Sequence, residues 1–137
     1  MTTAKRFEEL DVWKRARALA NVIYDMTDDE SFKRDFVLRD QIQRAAVSVV
    51  SNIAEGFESR TQLMFIEYLG RAKASCGEMR AQLYIAFDRN YISQEQLDKF
   101  LSEAAICSRQ IASLSHYLET QPNSRRIREE GAIYDVE

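Results

Sequence analysis

Proline occurs once in the 137 residues, at Pro122, and glycine four times. So few turn-formers leave little room for a fold of many short strands and direct the reading towards helices. Histidine also occurs once, at His116, and cysteine twice, at Cys76 and Cys107, with no Cys-x-x-Cys spacing. A zinc site needs clustered Cys and His. A di-iron bundle needs Glu-x-x-His pairs on facing helices, but Ser113 stands three residues before His116. No metal and no cofactor is therefore expected. There is no Gly-rich phosphate loop and no Ser or Cys nucleophile with a choice of histidines. No apolar run approaches the roughly 20 residues that cross a bilayer, and residues 1–13 lack the apolar stretch of a signal peptide. With both cysteines on apolar stripes, where they read as small buried hydrophobes, the expected compartment is the cytoplasm.

What the chain does contain is helical periodicity. Val12, Ala16, Leu19, Ile23 and Met26 recur at 4-3-4-3 spacing, the seam of an amphipathic helix that packs against near-parallel partners. Asp28 to Ser31 then reads as a solvated loop. A second helix runs from about Asp35 to Glu55 on a stripe of Leu38, Ile42, Ala45, Val49 and Ile53, with Gly56 as a left-handed C-terminal cap. In the third helix, Ser59 and Gln62 form a capping box. Its stripe is Phe65, Leu69, Ala72, Cys76, Met79, Leu83 and Ala86, and it stops near Asn90. The fourth opens on Ser93 and Gln96, a second capping box, and continues through Phe100, Ala104, Cys107, Ile111, Leu114 and Leu118. Pro122 ends it. The fold expected is an all-α antiparallel up-down-up-down four-helix bundle over residues 1–120, followed by a disordered polar tail over 121–137.

Two helices carry more apolar surface than one bundle needs. Around the second, Val47, Val50, Ala54 and Phe57 flank the core stripe and widen the apolar arc to about 200°, where roughly 100° or more suffices. On the third, Gly70, Ala74, Gly77 and Ala81 repeat at 4-3-4 spacing, about a quarter turn from the core stripe. Each mid-helix glycine costs about 1 kcal/mol relative to alanine, so two on one line imply that another backbone comes close. These eight residues are the expected subunit interface, and a heterologous contact of that kind closes into a ring.

The polar arc left on the second helix holds Arg44, Ser48, Asn52 and Glu55, and the third presents Ser75 and Glu78. They read as a polar network or a partner-binding strip. Net charge is −3, yet residues 31–90 carry nine Lys and Arg against seven Asp and Glu. Arg39, Arg60, Arg71, Lys73 and Arg80, with Arg44 less certain, are the candidates for touching nucleic-acid phosphates. Arg109 and His116, seven residues apart, share a helix face and could in principle serve a ribonuclease, histidine as acid or base and arginine on the phosphate. Two solvated surface residues fit that spacing as well.

The run Gln41-Ile42-Gln43-Arg44-Ala45-Ala46-Val47-Ser48, continued by Ser51-Asn52-Ile53-Ala54-Glu55-Gly56, resembles the signature of the bacterial four-helix-bundle proteins encoded in intervening sequences of 23S rRNA genes. Leu10, Val12, Trp13, Ala16, Phe65, Leu69, Ala72, Ser75, Glu78, Leu83 and Tyr91-Ile92-Ser93 extend the likeness over about residues 7–119. Val50 departs from it, where proline is usual, and so does Met64, where an acidic residue is usual. The resemblance implies a homopentameric ring with no enzymatic activity. It also implies kinship with accessory proteins of diversity-generating retroelements, which bind nucleic acid and a reverse transcriptase. The function expected is a non-enzymatic oligomeric scaffold or adaptor that engages RNA or a nucleic-acid enzyme weakly. The alternatives are a protein-binding module with no nucleic-acid role and, third, a ribonuclease using Arg109 and His116. No small-molecule substrate is expected.

Overall fold

The computed structural model describes residues 2–121 and 133–135. Strand β1 (Thr2–Ala4) and a 3-10 turn (Phe7–Glu9) lead into α1 (Asp11–Thr27). The short α2 (Glu30–Lys33), then α3 (Phe36–Glu58), α4 (Gln62–Asp88), α5 (Gln94–Glu119) and strand β2 (Ile133–Asp135) follow. The four long helices form the antiparallel bundle, an all-α core to which the strands add one small pair.

The stripes read from the sequence make up the core. Every core position named for α3, α4 and α5 is buried, together with Val12, Ala16, Leu19 and Ile23 of α1. At the end of α1 the pattern slips by one residue. Thr27 is buried and Met26 only partly, because the Thr27 hydroxyl accepts a hydrogen bond from Gln43 Nε2 at 2.9 Å and donates one to Tyr24 O. That bond ties α1 to α3.

Three local readings are corrected. Asp28 to Ser31 is not simply a loop: Asp29 caps α2 through Ser31 N, and Phe32 is driven fully into the core, stacked on Tyr91 at 5.1 Å. Gly56 is not a left-handed cap but an interior residue of α3. A Cβ there would lie 2.7 Å from Phe65 Cδ1 and 2.8 Å from Tyr68 Cβ, so glycine is what lets α4 approach. The cap of α4 is Thr61, whose hydroxyl accepts from Met64 N at 3.1 Å, whereas the Ser59 hydroxyl turns back to Gly56 O. Two expectations hold. Asn90 stands at φ 65° beyond the end of α4, and Ser93 with Gln96 makes the full capping box.

The tail reading is corrected in part. Ile133–Asp135 is a strand, antiparallel to Thr2–Ala4, with Thr3 opposite Tyr134. Residues 122–132, 136 and 137 lie outside the described residues.

Candidate functional site

The two surplus apolar faces lie on different sides of the bundle. On α3, Gln43 reaches Thr27 of α1, and Val47, Val50 and Ala54 continue that flank at spacings of four, three and four. Val47 is 43% exposed, and Val50 and Ala54 are half-buried. Phe57 leaves the set. It is 8% exposed, its ring meeting Phe65 edge-on at 6.1 Å, so it belongs to the core rather than to an interface.

On α4, Gly70, Ala74 and Ala81 are exposed and Gly77 is half-buried. The stripe points away from the core, nearer half a turn from it than a quarter. Nothing lies within 4 Å of a Cβ built at Gly70 or Gly77. Among the described residues, no backbone accounts for either glycine. The same helix exposes Leu63 at its start and Tyr84 and Ile85 near its end, while Phe36 and Val37 are exposed at the start of α3. The sequence reading missed these five large side chains because they fall outside the regular stripes. Their signal was an α4 with apolar residues on opposite sides, which a one-faced bundle helix lacks.

Between the two faces, α3 and α4 share a polar seam. The hydroxyls of Ser48 and Ser75 lie 2.9 Å apart, and Asn52 Nδ2 donates to both Ser48 O at 2.8 Å and Ser48 Oγ at 2.9 Å. Three of the six network candidates therefore meet. Glu78 accepts from Gln82 Nε2 at 3.3 Å, one turn further along α4. Arg44 and Glu55 do not join. Both are exposed, and eleven residues along a helix place them about 16 Å apart despite a shared face. Gln82 is buried and its Oε1 has no partner among the described residues. The Ser48 and Ser75 hydroxyls bond each other, and Asn52 adds an amide donor to Ser48.

Of the cationic candidates, Arg60, Arg71, Lys73 and Arg80 are exposed. Arg71 lies over the Tyr68 ring at 5.0 Å. Arg39 is already engaged, with Asp40 at 3.1 Å, with Lys33 O and over the Phe36 ring. Arg109 and His116 are both exposed on α5, about 10 Å apart along its axis. Two adjoining grooves of ≈ 690 and ≈ 320 Å³ lie between α1 and α5, floored by Leu19, Val22 and Phe100. Across them Arg15 holds Glu103 at 2.7 Å and Gln110 at 3.0 Å. No sequence candidate lines them. Among the described residues, no three His, Cys, Asp or Glu side chains gather as metal ligands, and no helix is long and apolar enough to cross a membrane.

Residues 8–113 match the model of the 23S rRNA-intervening sequence protein family. The chain belongs to that family. A crystal structure of a protein of unknown function, from the S23 ribosomal protein family of Bacteroides thetaiotaomicron, superimposes with a TM-score of 0.70 at 23% identity. The match covers 76% of this chain and 97% of that one, and it establishes a common fold. No curated protein matches the chain.

Proposed function

We propose that this protein is a non-enzymatic scaffold or adaptor that works as a homo-oligomeric ring, a pentamer by family likeness, and engages RNA or a nucleic-acid enzyme weakly. The observation that carries the reading is the outer face of α4. Gly70 and Gly77 are helix-destabilising residues with no close neighbour among the described residues, on a face that also exposes Leu63, Tyr84 and Ile85. A face of that composition suits close approach by another helix. Val47 with the half-buried Val50 and Ala54 on α3 offers a second, non-identical patch, as a heterologous contact requires. The bonded seam of Ser48, Asn52 and Ser75 holds α3 and α4 as one unit, so the two patches keep a fixed relation.

The nucleic-acid part rests on the exposed Arg60, Lys73 and Arg80, repeated around the ring so that few charges per chain add through avidity. Size-exclusion chromatography with light scattering tests assembly: several times 15.9 kDa is expected, and a single-chain mass at micromolar concentration refutes it. Titration of labelled RNA at two salt concentrations tests the partner, since phosphate contacts weaken steeply with salt. An intact oligomer that binds no RNA at low salt leaves a scaffold for protein alone.

A further inference from the structure

Midway along the α4–α5 seam the side chains are small. Ala72 and Cys76 on α4 face Ala104, Cys107 and Ser108 on α5, and all are buried. The helices approach closely there: Cys76 Sγ donates to the main-chain oxygen of Ala104 at 3.5 Å. Helical side chains lean back over the turn that precedes them, which carries Cys107 Sγ over Ala104 and towards the same point. Each thiol perturbs the ionisation of the other, as neighbouring groups do, and neither is in a disulfide. Packing asks only for small residues here, and Ala72 and Ala104 already supply them. What the cysteines add is two thiols directed at one point, the Ala104 main-chain oxygen, from two helices.

We propose that Cys76 and Cys107 form a reversible disulfide that clamps α4 to α5 when the protein meets hydrogen peroxide. The Cys76 thiolate attacks one peroxide oxygen and the O–O bond breaks. The departing hydroxide takes up the proton that Cys76 gave up, leaving a sulfenic acid on sulfur. Cys107 attacks that sulfur, the S–O bond breaks, and the second hydroxide leaves with the Cys107 proton. Two thiols lose two electrons to become one disulfide, and one peroxide becomes two waters.

The order of attack follows from the surroundings. The neighbouring Cys107 thiol pulls the Cys76 thiol below its ordinary range against the opposing effect of burial, and Arg80 and Lys73 add to the lowering. The same pairing, with burial and the charge of Cys76, pushes Cys107 up. Both sulfurs lie in the core, so a small neutral oxidant reaches them when the seam opens and a bulky disulfide does not.

The test exposes folded protein to hydrogen peroxide or to oxidised glutathione, then unfolds it in N-ethylmaleimide and measures intact mass. With peroxide, the expected product is lighter than the reduced chain by two hydrogens and takes up no maleimide. It retains its helical circular dichroism and regains two alkylatable thiols in dithiothreitol. Oxidised glutathione leaves both thiols free. Cys107→Ala gives no intrachain link and leaves a Cys76 sulfenic acid that dimedone traps; if that variant loses helicity, the parent protein alone decides. Thiols that stay fully alkylatable after peroxide, a link that forms only in urea, or a link between two chains would each overturn the proposal.

Discussion

The same substitution, glycine to alanine, is expected to have opposite signs at two positions in this bundle. At Gly56 the new methyl lands 2.7 Å from Phe65 Cδ1 and 2.8 Å from Tyr68 Cβ, well inside the roughly 3.5–4.0 Å of carbon–carbon contact. Neither neighbour can yield cheaply. Phe65 is buried against the edge of Phe57, and the Tyr68 Cβ is fixed to the α4 backbone. Overpacking of this kind costs about 1–3 kcal/mol, and two immovable neighbours argue for the upper end. Alanine returns about 1 kcal/mol of helix propensity, so the net loss is about 2 kcal/mol. At Gly77 nothing stands within 4 Å, and the isolated chain gains the whole propensity of about 1 kcal/mol.

The two variants should therefore differ by about 3 kcal/mol, a factor of over 100 in the folding equilibrium. Urea unfolding followed by circular dichroism, at a concentration dilute enough to hold single chains, measures it. A Gly56→Ala protein as stable as the parent would refute the close-approach account of that glycine. Repeating the series at high concentration adds a second reading. If α4 packs against a neighbouring subunit, Gly77→Ala loses its advantage as the parent gains stability from assembly. An unchanged advantage at every concentration counts against the interface.

Further outcomes can be checked singly. Ser93→Ala removes one side of the α5 capping box and should lower stability by about 1 kcal/mol in the same unfolding assay. Arg15→Ala breaks the half-exposed link to Glu103; the expected loss is at most about 1 kcal/mol and shrinks in high salt, as thermal melts at two salt concentrations would show. His116→Ala, at an exposed position, should alter neither melting temperature nor RNA integrity on incubation. Cleavage present in the parent and lost in that variant would restore the ribonuclease reading.

The core was legible because burial repeats with the helix, and a 4-3 stripe names its members whatever the partner helix contributes. What escaped the sequence depends on distances between elements. Gly56 carries the mark of a helix stop, and only the position of Phe65 and Tyr68 shows that it is a contact point. Ser59 and Thr61 both offer capping hydroxyls, and the chain uses Thr61 because Ser59 is committed to Gly56 O. α2 is a single turn around one apolar residue, Phe32, too short for a periodic signal. In the candidate site, Ser48, Asn52 and Ser75 were found because facing polar arcs must meet somewhere. Arg44 and Glu55 were grouped on angle alone, and angle says nothing of the rise between them. Cys76 and Cys107 were rightly placed in the core, but the bond from Cys76 to the Ala104 main chain depends on how α4 and α5 are staggered.

If the subunit contact joins the Val47 flank of α3 on one chain to the Gly77 face of α4 on the next, each chain carries two different half-sites. Val47→Glu spoils the first by burying a carboxylate without a partner, which desolvation makes strongly unfavourable. Gly77→Leu spoils the second by holding the helices apart. Neither side chain is part of the monomer core, Val47 being exposed and Gly77 open on its outer side, so both variants should keep their helicity as single chains. Mixed together they should do something neither does alone. The intact α4 face of the Val47 variant meets the intact α3 flank of the Gly77 variant, one contact forms, and both remaining half-sites are the damaged ones. Growth stops at two chains. Light scattering of the equimolar mixture should therefore report a mass of two chains from components that each report one. A self-complementary contact gives a different pattern, because each face would then pair with its own copy: one variant would still assemble alone, or the mixture would stay monomeric. Either result would rule out the ring-forming contact between these two faces.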